Sequence, residues 1–274
     1  MTDVSANTVA RLLESRSFVE LGARQRARAL LDDDSVRELL DPFDRVTSPW
    51  LPKQGIVTQA DDGVVVAKGS IDGQPAVIAA IEGAFQGGSM GEVGGAKIAG
   101  ALELAVEDNR KGIPTRAVLL LETGGVRLQE ANLGLAAIAE IQAAIVELRD
   151  YQPVIGVVAG SVGCFGTREA RVGLNGPQVI EQEAGLDEYD SRDRPFIWSL
   201  TGGEQRYASG LVDAYVADDT DAIRAQLHEL FALGKPLQPR SRRHAWFLQR
   251  LADVDTRTQL DASAVRALYE GDAQ

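Results

Sequence analysis

The sequence predicts an α/β fold of layered strands and helices, and three apolar runs indicate it. Residues 76–81, 117–121 and 153–159 are almost entirely apolar and have the length of buried strands. A glycine-rich turn follows each run, and the first two turns lead into long helical segments. Buried strands that alternate with helices are typical of a parallel sheet covered on its faces, and not of a helix bundle or a β-sandwich.

Composition limits the partners and the kind of site. The 274 residues include 28 lysines and arginines against 40 aspartates and glutamates, a formal charge of −12, which argues against a phosphate-backbone partner. Cys164 is the one cysteine, so an internal disulfide and a multi-cysteine zinc site are both excluded. No apolar run approaches the length of a membrane span, and the start lacks the pattern of a secretory leader. We therefore expect a cytoplasmic protein that binds neither nucleic acid nor a membrane.

The first 50 residues are expected to be helical and polar, because their leucines are spaced loosely at helical intervals. Arg24, Arg26 and Arg28 lie among them. We interpret this basic run as a solvent-exposed helix face, with a docking surface as the alternative. A proline-rich stretch at residues 42–52 then ends the helical pattern.

These changes divide the chain into three parts. Residues 1–52 are predicted to form a helical N-terminal extension, residues 53–220 the core, and residues 221–274 a helical C-terminal tail interrupted at Pro236 and Pro239. A late strand is expected at residues 211–216, at the end of the core.

The core begins with a predicted hairpin. Apolar runs at residues 64–69 and 76–81 flank Asp72 and Gly73, and Asp-Gly between two strands favours a tight turn. The glycine-rich residues 85–97 follow and introduce a helix that ends near Gly112. This segment is neither a Walker loop nor a dinucleotide fingerprint. One such turn can be structural, whereas two in consecutive strand-to-helix units indicate a site.

The central strand, residues 117–121, and the turn after it organise the chain. Gly124 and Gly125 lie in this turn, and an alanine-rich helix is expected from Leu128 to Arg149. A turn of this kind places backbone N–H groups at the positive end of a helix dipole, which favours an anion.

The third unit is unusually short. A strand at residues 153–159 leads into Gly160 to Gly166, and residues 167–174 then have the pattern of the next strand. Parallel neighbours need a crossover of about a dozen residues, usually a helix. Either the crossover helix after Gly166 is deleted, or residues that belong there are missing. We favour the second explanation, because loss of the helix would interrupt a parallel sheet.

The usual catalytic side chains are poorly placed. His228 and His244 lie in the tail without a nucleophile elbow, and Cys164 has no histidine nearby in the sequence, so we interpret all three as packing or surface residues. Glu122 and Glu130 flank the central turn; acid–base chemistry and orientation of the turn both remain open, and we favour orientation. Backbone N–H donors can stabilise developing negative charge by roughly 3–4 kcal/mol each. Such donors without an obvious nucleophile fit a reaction through an enolate.

Three motifs in register resemble those of a known family. Residues 87–91 with Lys97, residues 123–130 and residues 176–182 are similar to the β-side carboxyltransferases of acyl-CoA carboxylases. Residues 50–57 and 188–195 make the whole chain look most like the β subunits of biotin-independent malonate decarboxylases. The resemblance covers about residues 80–216. It implies a crotonase-like fold, a spiral of ββα units, between the helical extensions.

The resemblance also implies an activity and partners. Such a subunit pairs with a γ subunit and decarboxylates malonyl-S-acyl-carrier protein to the acetyl form. The carrier holds the substrate on a phosphoribosyl-dephospho-coenzyme A arm, an α transferase subunit completes the holoenzyme, and no cofactor or metal is bound directly. The alternatives are a biotin-dependent carboxyltransferase β subunit and a non-catalytic scaffold half of the complex.

Site residues carry over to matching positions. One oxyanion hole is assigned to Gly124, Gly125 and Val126, and a second to Gly166, where the family has a Gly-Gly pair. The resemblance implies substrate binding by Gly87, Gly88, Ser89, Met90, Arg127, Gln129 and Glu130. A true deletion after Gly166 would remove the second hole and leave an inactive subunit.

Net charge constrains how the carrier protein docks. Carrier proteins are typically acidic, and so is this chain, so its overall field is expected to repel the partner. A local basic patch is then needed. Arg240, Arg242 and Arg243, the run from Arg24 to Arg28, and a basic surface on the γ subunit are the candidates.

Overall fold

The computed structural model describes residues 17–159, 170–174, 203–208, 212–234 and 240–269. Seven strands form one sheet in the order β1-β2-β3-β5-β7-β8-β9. The first three strands pair antiparallel, and the pairs from β3 onward are parallel. The strands are β1 (Arg37–Leu39), β2 (Val64–Ile71), β3 (Gln74–Ile81), β5 (Arg116–Leu121), β7 (Val154–Val158), β8 (Ala170–Leu174) and β9 (Ala214–Val216). β4 (Ser89–Met90) and β6 (Gly125–Val126) form a separate two-stranded sheet.

Helices cover both faces of the large sheet. α1 (Ala23–Leu30) and the later α5 (Thr220–Ala232) pack on one face, against side chains such as Val65, Ile78 and Leu120. α2 (Glu92–Arg110) and α3 (Asn132–Leu148) pack on the other, against the alternate residues Val66, Leu119 and Leu121. The period of two along each strand thus produces two apolar cores. The described residues form three further helices, α4 (Gly203–Ala208), α6 (Arg240–Ala252) and α7 (Ala262–Tyr269).

The described part of the N-terminal segment, residues 17–52, is only partly helical. α1 confirms the predicted helical character, but Arg37–Leu39 forms an edge strand that pairs with β2, so the helical prediction is wrong there. The leucines of this segment are spaced at helical intervals, and three residues of strand do not alternate long enough to give a competing signal. Phe18, Leu30 and Leu31 are fully buried against the sheet. This segment therefore contributes to the main core.

The predicted hairpin and its Asp-Gly turn are confirmed. β2 and β3 pair from Val64 with Ile81 to Ile71 with Gln74, so the two-residue turn is Asp72 and Gly73. Both have positive φ, 52° and 71°, as the type I′ turn requires. The predicted helix after the first glycine-rich turn and the central strand are confirmed as α2 and β5, whereas α3 begins four residues later than the expected Leu128.

The sheet continues across the short third connection. β8 lies beside β7 and parallel to it, with Val157 opposite Val172, although residues 159–169 are all that separates them. The expectation that loss of a crossover helix would interrupt the sheet is therefore wrong. A register shift between Gly156 and Val157 accompanies the pairing. Within the described ranges, no helix has both the length and the apolar character needed to cross a membrane.

Candidate active site

The two glycine-rich turns meet in space. β4 and β6 pair in parallel, with Ser89 opposite Gly125 and Met90 opposite Val126. Outside this pairing, Gly124 N–H donates to the Gly87 carbonyl over 2.9 Å, and Arg127 N–H donates to the Met90 carbonyl over 2.8 Å. The sequence predicted both turns, and the structure joins them into one backbone surface.

The three predicted oxyanion donors are not equivalent. Gly124 N–H is bonded to Gly87, and Gly125 N–H donates to the Thr123 hydroxyl over 3.0 Å. Neighbouring N–H groups of a strand point to opposite sides. Arg127 N–H donates to Met90, the residue that pairs with Val126, so the N–H of Val126 points away from β4; this alternation does not extend back to Gly124, whose N–H also bonds to the first turn. Gly125 has φ of 102°, a conformation that residues with a side chain rarely adopt.

The first turn needs its second glycine. Gln86, Gly87 and Gly88 are consecutive residues in the left-handed region, with φ of 52°, 62° and 63°. A Cβ on Gly88 would lie 2.0 Å from the Glu122 carbonyl oxygen, whereas nothing lies within 4 Å of a Cβ on Gly87. Gly88 therefore permits the close approach of the two turns, and Gly87 supplies only the backbone conformation.

An apolar cavity of about 280 Å³ lies beside the second turn. Thr123, Gly125 and Val126 contribute to its lining from the turn. The remaining lining is mainly apolar and comes from β4, β5, α2 and α3, namely Met90, Leu119, Leu121, Ile98, Ile138, Ile141, Gln142 and Ile145. Since β6 borders the cavity, a group bound there lies next to the backbone of the turn.

Arg127 is the centre of a buried ion network. Its side chain is 1% exposed, and its Nη1 lies 3.0 Å from Asp62 Oδ2 and 2.9 Å from Glu130 Oε1. Its Nη2 donates to the Ser89 carbonyl over 3.0 Å, and its guanidinium lies over the ring of Phe85 at 5.3 Å. One guanidinium thus connects the loop before β2, strand β4 and the end of the second turn.

Both carboxylates of this network also cap α2. The cap residue Gly91 has no side chain, and the N–H of Glu92 donates to Glu130 Oε2 over 2.7 Å. Gly94 N–H donates to Asp62 Oδ2 over 2.9 Å. The positive end of the helix dipole, about half a charge, offsets part of the second buried carboxylate. Burial raises the pKa of Asp62, although Arg127 opposes that rise.

Lys97, part of the first motif, is buried one turn further along α2. Its Nζ donates to the carbonyls of Asp61 and Leu40 over 3.0 and 3.2 Å. Burial lowers the pKa of this ammonium, and the nearby Asp61 and Asp62 oppose the shift. Its contacts indicate a role in holding the loop before β2.

The arginines of α1 do not all lie on the solvent-exposed face that the sequence predicts. Arg26 is only 3% exposed, and its Nη1 lies 2.6 Å from Glu122 Oε2, at the start of the second turn. Arg24 pairs with Glu38 at 2.8 Å and with Asp61 at 3.0 Å. Arg28 alone is exposed. The exposed-face interpretation is therefore wrong for Arg26, whereas Arg24 is partly exposed; both neutralise carboxylates, which argues against the docking alternative.

The remaining predicted residues take several positions. Gln129 accepts a hydrogen bond on its carbonyl from Gln54 Nε2 over 2.6 Å, and Ser89 Oγ lies 3.4 Å from Arg127 Nε. His228 is exposed and lies 3.0 Å from Asp72. Gly166, Cys164 and the motif at residues 176–182 lie outside the described residues, as do the side chains of Arg240, Arg242 and Arg243.

Sequence reasoning missed Asp62 and the burial of Arg26. A signal for Arg26 exists, since it shares the helical spacing of the buried residues Ala23, Ala27 and Leu30. For Asp62 the local signal is only the Asp61-Asp62-Gly63 turn before a strand, which does not reveal a partner 65 residues away.

Comparisons with known proteins find related sequences and structures. Residues 19–238 match the family model described as the carboxyl transferase domain. The chain is 38% identical over 236 residues to the malonyl-S-ACP:biotin-protein carboxyltransferase MADC of Malonomonas rubra, which covers 77% of this chain and 74% of the relative.

Two solved structures extend the comparison. A chain of a Pseudomonas malonate decarboxylase hetero-tetramer in complex with malonate is 72% identical with a TM-score of 0.80, over 95% of this chain and 100% of that one. A chain of the Pseudomonas malonate decarboxylase MdcD–MdcE hetero-dimer is 63% identical with a TM-score of 0.66, over 89% of this chain and 100% of that one. These likenesses confirm the resemblance drawn from the motifs and the predicted crotonase-like fold class.

Proposed function

The chain belongs to the carboxyl transferase domain family, and from that premise we propose that it is the β subunit of a malonate decarboxylase. With a γ subunit it converts malonyl-S-acyl-carrier protein into acetyl-S-acyl-carrier protein and carbon dioxide. The observation that carries this proposal is the 72% identity, over 95% of the chain, to a chain of the Pseudomonas malonate decarboxylase hetero-tetramer. The reaction is that of a carbon–carbon lyase within a heteromeric complex.

The proposed chemistry uses the backbone of the second turn. The bond between C2 and the carboxylate breaks, carbon dioxide leaves, and the electron pair moves into the thioester carbonyl as an enolate. A proton then adds at C2 and gives the acetyl thioester. The enolate oxygen needs fixed donors, and Val126 N–H, which points away from β4, is the candidate among the described residues. Gly124 and Gly125 hold the turn that presents it.

The substrate is placed by the surroundings of that turn. A thioester whose C2 side enters the apolar cavity beside Gly125 and Val126 would be shielded from water there, which favours loss of a charged carboxylate. Gly87, Gly88, Ser89 and Met90 support the turn from β4, and Arg127, Gln129 and Glu130 fix its end. A second donor from Gly166 belongs to the same proposal.

The partners follow from the same proposal. The carrier protein brings the malonyl group on its phosphoribosyl-dephospho-coenzyme A arm, so this chain needs no directly bound cofactor. The γ subunit completes the site, and an α transferase subunit supplies the holoenzyme with the loaded carrier. Hetero-tetrameric and hetero-dimeric assemblies of the two Pseudomonas relatives support a heteromeric complex.

The test is decarboxylation by the assembled complex. Malonyl-S-carrier is supplied, and carbon dioxide and acetyl thioester are measured together. Gly125→Val should lower kcat by about 10²- to 10³-fold, because a side chain at φ of 102° displaces the donor. Gly112→Val is the matched control: it is also left-handed, with φ of 83°, but has open space around it, so it should leave kcat within about twofold. Full activity of the Gly125→Val complex would support a scaffold half whose partner carries the site.

A second candidate is a biotin-dependent carboxyltransferase β subunit, which the Malonomonas rubra relative favours. It shares the enolate but passes the carboxyl group to biotin. Transfer of labelled carboxyl to a biotinyl carrier, in place of release as carbon dioxide, distinguishes the two. Identity of 72% against 38% favours the decarboxylase.

A further inference from the structure

Asp62 lies outside every motif that resembles the family, yet it is the fully buried partner of Arg127. Its two oxygens lie 3.1 and 3.0 Å from Arg127 Nη1. One oxygen also accepts from Gly94 N–H, and the other from Ser48 N–H over 3.3 Å. These bonds connect the loop before β2 to Arg127, to the N-terminus of α2 and to Ser48.

Asp62 is linked to the proposed donor, the Val126 N–H, through Arg127, the residue that follows Val126 in the chain. The Arg127 guanidinium is held by Asp62, Glu130 and the Ser89 carbonyl, while the backbone N–H of the same residue bonds Met90. The peptide bond that precedes this N–H joins Arg127 to Val126. The N–H of Val126 belongs to the preceding peptide bond, between Gly125 and Val126, so loss of the Asp62 contact would act on it by loosening Arg127 and with it the short segment from Gly125 to Arg127.

We propose that Asp62 is a positioning residue that sets the direction of the Val126 N–H through Arg127. The expected effect on the rate rests on the proposed function, whereas the expected change in backbone order does not. An ionised carboxylate holds the guanidinium more strongly than a neutral carboxyl group does, so positioning should depend on pH.

The groups that face Asp62 set that dependence. Arg127 and Glu130 face it from the end of the turn, and Lys97 faces it from α2, while Asp61 is its neighbour in the loop. Burial raises the pKa of Asp62, so its contact with Arg127 weakens on protonation at a higher pH than for an exposed aspartate, while Glu130 and the Ser89 carbonyl keep their bonds to the guanidinium. The rate should then show an acid limb that belongs to Asp62.

The experiment compares Asp62→Asn with Asp61→Asn in the assembled complex, acting on malonyl-S-carrier. Asp61 is equally buried and adjacent, but it pairs with Arg24 and not with Arg127. Asp62→Asn should lower kcat about tenfold or more, with KM changed less than twofold, and should abolish the acid limb of the pH profile. Asp61→Asn should keep that limb. Equal losses in both variants, with the limb retained in Asp62→Asn, would overturn the proposal.

A second measurement decides the question without turnover. Amide hydrogen exchange of a peptide covering residues 124–131, corrected for the intrinsic pH dependence of exchange, reports the order of the turn. In the wild-type complex protection should increase as Asp62 ionises, and Asp62→Asn should remove that increase. A flat wild-type profile would overturn the positioning role. If the wild-type complex releases no carbon dioxide but shows the pH-dependent protection, the proposed function fails and the positioning role stands.

Discussion

The turn between β5 and α3 is held at both ends by a buried arginine, and the two ends differ in charge. At its start, Glu122 pairs with Arg26 of α1. At its end, one guanidinium, that of Arg127, serves both Asp62 and Glu130. The start is thus tied to a helix on one face of the sheet, and the end to the N-terminus of α2 on the other.

This difference shows how a buried excess of negative charge is accommodated. At the end of the turn, N–H groups of α2 supply part of the missing positive charge through Glu92 and Gly94. Removing the arginine there would leave two carboxylates facing one helix terminus. Loss of the arginine should therefore lower the free energy of unfolding more at the end of the turn than at its start.

The largest effect is expected from Arg127→Met. Loss of one member of a buried pair costs about 3–5 kcal/mol, and here two carboxylates lose their partner, so we expect about 5 kcal/mol. Urea unfolding measures it. Arg110→Met is the control, because Arg110 and Glu147 form an exposed pair that should contribute less than about 1 kcal/mol. Similar losses for both variants would contradict the picture of a buried network.

Arg26→Met should cost less, about 3 kcal/mol, because it deprives one carboxylate of a partner. The same unfolding assay applies, and the double variant with Arg127→Met sharpens the comparison. If both arginines hold one turn, the two losses should sum to more than the loss in the double variant, by about 0.5–3 kcal/mol. Strict additivity would mean that the two ends are independent.

A smaller effect is expected where the two turns touch. Gly88→Ala places a Cβ against the Glu122 carbonyl, whereas Gly87→Ala changes only a left-handed residue in open space. We expect about 1 kcal/mol for Gly87→Ala and about 2 kcal/mol more for Gly88→Ala, from the added overpacking. Thermal unfolding of the two variants tests the difference. Equal costs would show that the contact relaxes freely.

Features with local sequence signals could be predicted, whereas contacts between residues far apart in the sequence could not. The hairpin, β5 and both glycine-rich turns have local signals, namely apolar runs and residues with special backbone freedom, and they were predicted correctly. The pairing of β4 with β6 involves two residues on each strand, 36 positions apart, and leaves no periodic pattern. The ion pairs of Arg26 with Glu122 and of Arg127 with Asp62 span 96 and 65 positions, so composition alone could not separate them from surface charges.

The smallest expected effect is the contribution of Asp62 to the pH dependence of the free energy of unfolding. Its pKa in the folded state is raised from the ordinary value of 3.8, so the native protein binds more protons than the unfolded chain between the two values. The free energy of unfolding should therefore decrease as pH rises through that window, and level off above the raised pKa. Asp62→Asn should lack this decrease, and Asp61→Asn should keep it, in urea unfolding measured at several pH values.

If the free energy of unfolding depended on pH in the same way for wild type and Asp62→Asn, ionisation of Asp62 would carry no cost in stability. A difference of the expected sign would mean that the charge which orients the turn is retained at a cost in stability, as expected of a residue kept for positioning.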